Sequence, residues 1–174
     1  MNTCYSHLIS SAVTVPGTLE NAWETITTVE IAHFRFPWYF RLMNIPKPIR
    51  AEIVQEGAGG SRIAYFDNGK RFIQEIETWE KLHTYSFSFR SGDGFKAGYC
   101  FDLFNGVFRV RKGTYFLKIL ENGIRIELQT EYTIRKNSNW LLSIPARVVL
   151  NVFQRYLLHT IQANAEFASK ATIL

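Results

Sequence analysis

Two Asn-Gly dipeptides constrain the fold of this chain more than any other feature of its sequence. Asn68-Gly69 and Asn122-Gly123 each lie between runs in which apolar and polar residues alternate. Alternation with a period of two is typical of a β-strand with one buried face. Asn and Gly tolerate the positive φ angles of a type I′ turn, so each dipeptide predicts a tight β-hairpin. The register of each hairpin decides which side chains point inwards.

In the first hairpin, a two-residue turn at the dipeptide pairs Tyr65 with Phe72 and Ile63 with Gln74. The alternation continues along the following strands. The inner face predicted for this part of the sheet consists of Ile63, Tyr65, Phe72, Gln74, Ile76, Thr78, Tyr85, Phe87 and Phe89.

A turn at Lys81-Leu82 continues this register, because it pairs Ile76 with Phe87 and Thr78 with Tyr85. This turn lacks the chemistry of an Asn-Gly turn. The register between the two strands that this turn joins is therefore less firmly defined than the register at Asn68-Gly69.

The second hairpin pairs Ile119 with Ile126 and Leu117 with Leu128 when Asn122-Gly123 forms the turn. Its predicted inner face consists of Tyr115, Leu117, Ile119, Ile126, Leu128, Thr130, Tyr132 and Ile134. Neither inner face includes a carboxylate or a histidine, which favours a binding cavity over acid–base catalysis.

Charges on the predicted outer face agree with these registers. Lys118 lies opposite Glu127, and Arg62 lies opposite Glu75, and both are favourable cross-strand pairs. A slip of one residue in the strand that contains Glu75 and Glu77 would instead turn these carboxylates inwards. There, desolvation would raise their pKa and make them candidate general acids or bases.

Two short helices are predicted after a first strand. The first covers Leu19 to Val29, with Thr18 as its N-cap. The second covers Ile31 to Asn44, is rich in aromatic residues, and is interrupted by Pro37.

A long amphipathic helix is predicted from Ser143 to Ser169 at the end of the chain. Its apolar face consists of Val149, Val152, Phe153, Tyr156, Thr160, Ala163 and Phe167, at i, i+3, i+4 spacing. A helix of this length needs a broad apolar surface to lie on, and the sheet provides one. The order of elements predicts an α+β fold, in which an antiparallel sheet of about seven strands has its helices on one face.

The composition indicates one domain over residues 1–174 that is soluble and cytoplasmic. The chain is 47% hydrophobic with a net charge of +5, and no basic helix or stripe points to nucleic acid. The two cysteines and four histidines lack metal-ligand spacing. We therefore expect no metal, no cofactor, no signal peptide and no stable membrane insertion.

Several segments resemble the START-like or polyketide cyclase/dehydrase superfamily, which has a helix-grip fold. They are Val13-Thr14-Val15-Pro16, Glu20-Asn21-Ala22-Trp23, Gly57-Ala58-Gly59-Gly60-Ser61-Arg62, Phe66-Asp67-Asn68-Gly69, the run from Phe72 to Glu80, the run from Tyr85 to Phe89, Gly113-Thr114-Tyr115 and the C-terminal helix. The resemblance implies a curved sheet that grips the long helix and encloses an apolar cavity. Its members include lipid carriers, hormone binders and polyketide cyclases, and they share no universal catalytic motif.

The residues expected to contact a ligand lie on the inner face, on the long helix and in the aromatic segment near the cavity mouth. They are Tyr65, Gln74, Thr78, Tyr85, Phe87, Tyr115, Thr130, Tyr132, Tyr156, His33, Phe34 and Trp38. We expect binding, for sequestration or transport, of a hydrophobic small molecule such as a lipid, an isoprenoid or an aromatic polyketide. Two alternatives remain open: a cyclase or dehydratase that uses the same cavity, and a protein-interaction module with a filled cavity.

Overall fold

The computed structural model of the protein describes residues 4–31, 34–90, 96–97, 101–102, 108–136 and 139–171. The strands and helices in chain order are β1 (Cys4–Val15), α1 (Leu19–Thr27), β2 (Val29–Glu30), α2 (Trp38–Leu42), β3 (Pro48–Gln55), β4 (Ser61–Phe66), β5 (Arg71–Glu80), β6 (Thr84–Arg90), β7 (Lys96–Ala97), β8 (Phe101–Asp102), β9 (Phe108–Leu120), β10 (Gly123–Arg135) and α3 (Asn139–Ala171).

The main sheet is antiparallel throughout and has the strand order β1-β10-β9-β6-β5-β4-β3-β2. In the described part of the chain it contains seven longer strands, and the two-residue β2 lies at one edge. The pair β7–β8 forms a separate small ribbon. α1 and α3 pack on one side of the sheet, which we call the inner face. The predicted α+β architecture is confirmed.

The register predicted for the first hairpin is wrong by one residue. Phe72 pairs with Ala64 rather than with Tyr65. The turn has three residues: the Gly69 amide donates to the Phe66 carbonyl at 3.1 Å, and Gly69 has φ of +77°. A three-residue turn that ends in a left-handed glycine uses the same dipeptide as a type I′ turn but adds one residue to the loop.

This shift reverses the two faces of β4, because successive side chains of a strand point to opposite sides. Arg62 and Ala64 now face inwards, and the predicted inward position of Tyr65 is wrong. Arg62 pairs with Gln74 on β5, so the predicted outer-face pair of Arg62 with Glu75 is also wrong.

The register across β5 and β6 is confirmed where Ile76 pairs with Phe87. Beyond that pair the ladder shifts, so Thr78 pairs with Ser86 instead of Tyr85. An irregularity of this kind changes the direction of the side chains that follow it. Trp79 therefore packs edge-on against the fully buried Tyr85, with ring centroids 5.5 Å apart.

The second hairpin is displaced by two residues from its predicted register. Leu117 pairs with Ile126 rather than with Leu128, and Tyr115 pairs with Leu128. A shift of two preserves the faces of both strands. Leu117, Ile126, Leu128 and Tyr115 are therefore buried, as the sequence predicts.

Two details of this hairpin differ from the prediction. Ile119 is 65% exposed near the end of β9. Lys118 lies opposite Arg125, so its predicted pairing with Glu127 is wrong. Glu127 instead accepts a hydrogen bond from the Ser10 hydroxyl at 2.6 Å.

The helix after β1 begins where the sequence predicts. The Thr18 hydroxyl accepts a hydrogen bond from the Asn21 amide at 3.3 Å and caps α1. α1 ends at Thr27 instead of Val29, because the next residues pair with β3 as β2. α2 is shorter than predicted and follows Pro37, which occupies its N-cap position.

The C-terminal helix is confirmed but extends beyond its predicted limits, from Asn139 to Ala171. Its predicted apolar face is partly wrong, since Phe167 is 79% exposed. The fully or nearly fully buried side chains of α3 are Ala146, Gln154, Leu158, Thr160, Ile161 and Ala165. The helix is therefore rotated relative to the predicted face, and Gln154 contacts the sheet.

Candidate functional site

A cavity of about 190 Å³ lies between the inner face of the sheet and α3. Its walls are almost entirely apolar. The sheet contributes Ala64, Phe72, Phe87, Phe89, Leu128 and others, α3 contributes Val149, Leu150, Phe153, Leu157 and Ile161, and Ile31, Ile45 and Pro46 come from the connecting segments. A dry cavity of about 150 Å³ in another protein admits benzene. The volume here therefore suits a molecule with one or two rings.

Four of the predicted ligand-contacting residues line this cavity: Gln74, Phe87, Tyr115 and Thr130. Gly113, between Phe87 and Thr130 on neighbouring strands, fixes the position of one wall. A Cβ atom at Gly113 would lie 2.6 Å from Cζ of Phe87, so a side chain at this position would displace the Phe87 ring.

Four other predicted contacts belong to the sheet or to α3 but lie away from the cavity lining. Thr78 follows the register shift in β5. Tyr85 lies beneath the lining, stacked on Tyr115 with ring centroids 6.2 Å apart. Tyr132 belongs to a second apolar cluster and stacks on an imidazole at 5.1 Å. Tyr156 packs against an aromatic ring from the segment before α2.

Phe34 and Trp38, the ligand contacts predicted in the aromatic segment near the cavity mouth, do not line the cavity. Phe34 packs against the main core, and Trp38 is 69% exposed. Phe36 and Phe40 are buried instead, and Phe40 packs edge-on against Phe153 of α3 at 5.8 Å. His33, the remaining predicted contact, lies outside the described residues.

Tyr65 lies on the outer side of the sheet with two charged neighbours. Its hydroxyl donates to Glu52 at 2.7 Å, and the guanidinium of Arg50 lies 4.5 Å from its ring centroid. Arg50 also forms an ion pair with Glu52 at 3.4 Å and borders the cavity. Both partners of that ion pair are substantially exposed, so the charge of Arg50 is solvated and paired.

The most informative residue of the cavity is one that the sequence did not identify. Arg62 lines the cavity and is only 4% exposed. Its guanidinium donates a long hydrogen bond, from Nη1 to Oε1 of Gln74 at 3.4 Å, and its Nε is buried without a partner among the described residues. The alternation in β4 favoured Ile63 and Tyr65 as inward residues, so no hydropathy signal pointed to Arg62.

The carboxylates that could have provided acid–base chemistry lie elsewhere. Glu77 forms an ion pair with Lys112 at 2.9 Å, and this contact lowers the pKa of Glu77 below its ordinary value. Glu75 is opposite Ser61 and Ser88 in the ladder, and it does not line the cavity. Among the described residues, the lining contains no carboxylate, imidazole or thiol.

The hydroxyl of Tyr115 remains protonated at neutral pH. Complete burial raises its pKa to about 12, although the nearby charge of Arg62 opposes the shift. Burial also raises the pKa of Tyr85, and Arg62 again acts in the opposite direction. A phenol in this state is a hydrogen-bond donor and not a base.

We expect the stability of the protein to fall steeply in alkali because of Tyr115. Its pKa is about 12 in the folded protein, against an ordinary tyrosine pKa of 10.0. The stabilising contribution is therefore complete below about pH 10 and is lost as the pH rises through 12. This difference in pKa corresponds to about 3 kcal/mol of the free energy of unfolding. Urea unfolding of wild type and Tyr115→Phe across this range should show that the wild type loses more stability by about that amount. Parallel curves would show that Tyr115 is not buried.

Gln154 connects α3 to the sheet at the edge of the cavity. Its Nε2 donates to the hydroxyl of Thr130 at 2.6 Å and to the carbonyl of Leu128 at 3.3 Å. Its Oε1 accepts from the hydroxyl of Ser11 at 3.0 Å. Because its hydrogen-bonding groups are already satisfied by the protein, Gln154 has a structural role in positioning α3.

Two further features bear on the classes of ligand. Within the ranges that the structure describes, no three His, Cys, Asp or Glu side chains come close enough to hold a metal ion. No helix of the described chain is long and apolar enough to cross a membrane.

Comparison with known proteins gives a match at the level of structure alone. No protein-family model and no curated protein matches this sequence. A norcoclaurine synthase mutant from Thalictrum flavum, in complex with a transition-state analogue, superposes with a TM-score of 0.60 at 13% identity and covers 97% of this chain and 99% of its own.

Two other solved structures are similar over comparable lengths. Ara h 8.0201 has a TM-score of 0.55 at 16% identity and covers 92% of this chain and 98% of its own. A structural-genomics protein from Mesorhizobium loti has a TM-score of 0.56 at 13% identity and covers 91% and 95%. The chain therefore shares the helix-grip fold of these proteins, as the sequence predicts. Fold alone does not determine what is bound or whether a reaction follows.

Proposed function

We propose that this protein binds one small hydrophobic molecule in the cavity between its sheet and α3, for sequestration or transport. The observation that carries this proposal is a largely apolar space of about 190 Å³ within an otherwise packed core. Protein interiors normally leave few voids larger than a water molecule. A module with a filled cavity, one of the alternatives from the sequence, has no need of such a space.

The size of the cavity narrows the range of ligands. Pockets for drug-sized ligands measure about 300–1,000 Å³, so a molecule of one or two rings fits better here than a long acyl chain. Norcoclaurine synthase, which shares the fold, has been solved with dopamine and hydroxybenzaldehyde. Those single-ring compounds belong to that protein, but they support a small aromatic ligand for this chain.

Binding is proposed in preference to catalysis because of the chemistry of the lining. A cyclase or dehydratase needs a group that transfers protons at the reacting atoms. Both Glu75 and Glu77 lie outside the cavity, and the phenol of Tyr115 stays protonated. Gln74, Phe87, Tyr115 and Thr130 are the predicted ligand contacts that we retain.

The affinity expected for a one-ring ligand is moderate. Burying about 200 Å² of apolar surface at about 25 cal/mol per Å² contributes roughly 5 kcal/mol before the costs of association are subtracted. Specific hydrogen bonds offset part of those costs, so we expect a Kd of about 1 mM for a simple neutral probe.

The proposal is tested by calorimetric titration with 3-phenylpropanamide, a neutral one-ring probe. Wild type should bind one equivalent. Ala64→Phe places a ring in the cavity and should weaken binding at least tenfold, and Val149→Phe fills the same space from α3. Ile63→Phe adds the same ring on the opposite face of β4 and is the matched control. Absence of binding to wild type, or equal affinity in the filled variants and the control, would contradict the proposal.

A further inference from the structure

Arg62 is a buried cation that forms no ion pair within the part of the chain that the structure describes. The residue is 4% exposed, and no acidic side chain among the described residues forms an ion pair with it. A guanidinium cannot lose its proton in a protein, so the charge persists. Leaving such a charge desolvated and unpaired is costly, and most proteins avoid it.

The groups around the guanidinium compensate this charge only in part. Its carbon lies 5.9 Å from the ring centroid of Tyr85 and 6.0 Å from that of Phe87, at the outer limit of a cation–π contact. The hydrogen bond to Gln74 is long, at 3.4 Å, and Nε has no acceptor. The fork of Arg62 therefore retains a donor, Nε, that has no acceptor among the described residues, at the wall of a cavity suited to a small ligand.

We propose that the natural ligand is a small hydrophobic acid whose carboxylate is bound by Arg62. This inference rests on the proposed function and specifies the class of ligand. A planar carboxylate matches the guanidinium fork and forms two parallel charge-assisted hydrogen bonds. The hydroxyl of Tyr115 is a further donor at the same wall, and the apolar side chains of α3 receive the body of the molecule.

The other arginine that borders the cavity is not equivalent. Arg50 already forms an ion pair with Glu52 and lies against Tyr65, and its side chain is 54% exposed. A ligand anion beside Arg50 would compete with Glu52 and with water for the guanidinium, so Arg50 would attract it only weakly. The deep position of Arg62 instead places the charged end of the ligand inside the cavity.

The test compares 3-phenylpropanoate with 3-phenylpropanamide, which have the same shape and differ in charge. At pH 7 the wild type should bind the acid at least 30-fold more tightly than the amide. Arg62→Met should abolish or reverse this preference, because it should weaken binding of the acid by a larger factor than binding of the amide. Arg62→Lys, which keeps the charge but not the fork, should retain part of the preference. Arg50→Met is the matched control and should change the preference by less than about threefold.

The outcomes separate this inference from the function on which it rests. If wild type binds both probes equally, the charge preference is wrong and the cavity remains a hydrophobic binding site. If wild type binds neither probe, both proposals fail. If Arg50→Met removes the preference and Arg62→Met does not, the carboxylate binds at the mouth, and the assignment to Arg62 is overturned.

Discussion

Arg62→Met should stabilise the ligand-free protein, with an increase in the free energy of unfolding of about 1–3 kcal/mol. Replacing buried charged groups by apolar side chains of similar volume is often stabilising by amounts of this order. Here the effect should be clear, because Arg62 as a whole is 4% exposed and its Nε has no partner among the described residues. The measurement is urea unfolding at neutral pH, with the midpoint and the slope both recorded.

The control for this result is Arg50→Met on the neighbouring strand. Arg50 forms an exposed ion pair with Glu52 at 3.4 Å, so we expect its replacement to change stability by less than about 1 kcal/mol. A fall in stability in Arg62→Met would show that Arg62 has a counter-charge in the ligand-free protein. A rise in stability together with loss of acid binding would be the trade-off typical of a functional site.

Gln154→Leu should have a large effect of the opposite sign, a loss of about 2–4 kcal/mol. Gln154 is 2% exposed. It joins α3 to three groups on β10 and β1 at 2.6–3.4 Å: the Thr130 hydroxyl, the Leu128 carbonyl and the Ile9 carbonyl, and it accepts from the Ser11 hydroxyl at 3.0 Å. Leucine keeps the volume but leaves buried polar groups without partners, each at a cost of about 1–3 kcal/mol.

The matched control is Gln162→Leu, two turns further along α3. Its amide donates to Glu166 at 3.1 Å on the exposed side of the helix. Loss of that bond should cost less than about 0.5 kcal/mol. Thermal or urea unfolding of both variants measures the difference. If the two losses were equal, Gln154 would not hold α3 on the sheet.

The overall fold could be predicted because its signals are local. The Asn-Gly dipeptides specify hairpins, and the Thr18 cap specifies the start of α1. The period of the C-terminal helix and the absence of any crossover pattern complete the antiparallel α+β arrangement. None of these signals depends on contacts between distant residues.

The exact registers could not be predicted, because the same dipeptide is compatible with turns of different length. An error of one residue at Gly69 reversed the faces of β4 and placed Arg62 outside. An error of two residues at Gly123 left the faces of β9 and β10 unchanged. The favourable pairing of Arg62 with Glu75 appeared to support the wrong register, which shows that cross-strand charge pairs are weak evidence.

The face of α3 that packs on the sheet is a second feature that could not be predicted from the sequence. The side of this helix that faces the sheet includes the polar residue Gln154, which is 2% exposed. Its contacts lie on strands more than twenty residues away in the chain. Such long-range hydrogen bonds leave no periodic signal, so the face predicted to include Phe167 was partly wrong.

The central claim is that the cavity holds a small acid against Arg62, and a crystal structure with 3-phenylpropanoate tests it most directly. We expect the carboxylate oxygens at about 2.7–2.9 Å from the guanidinium nitrogens of Arg62, with the phenyl ring among Phe87, Phe153 and Leu128. A ligand on the protein surface, or a carboxylate bound at Arg50 with the ring outside the cavity, would contradict the claim.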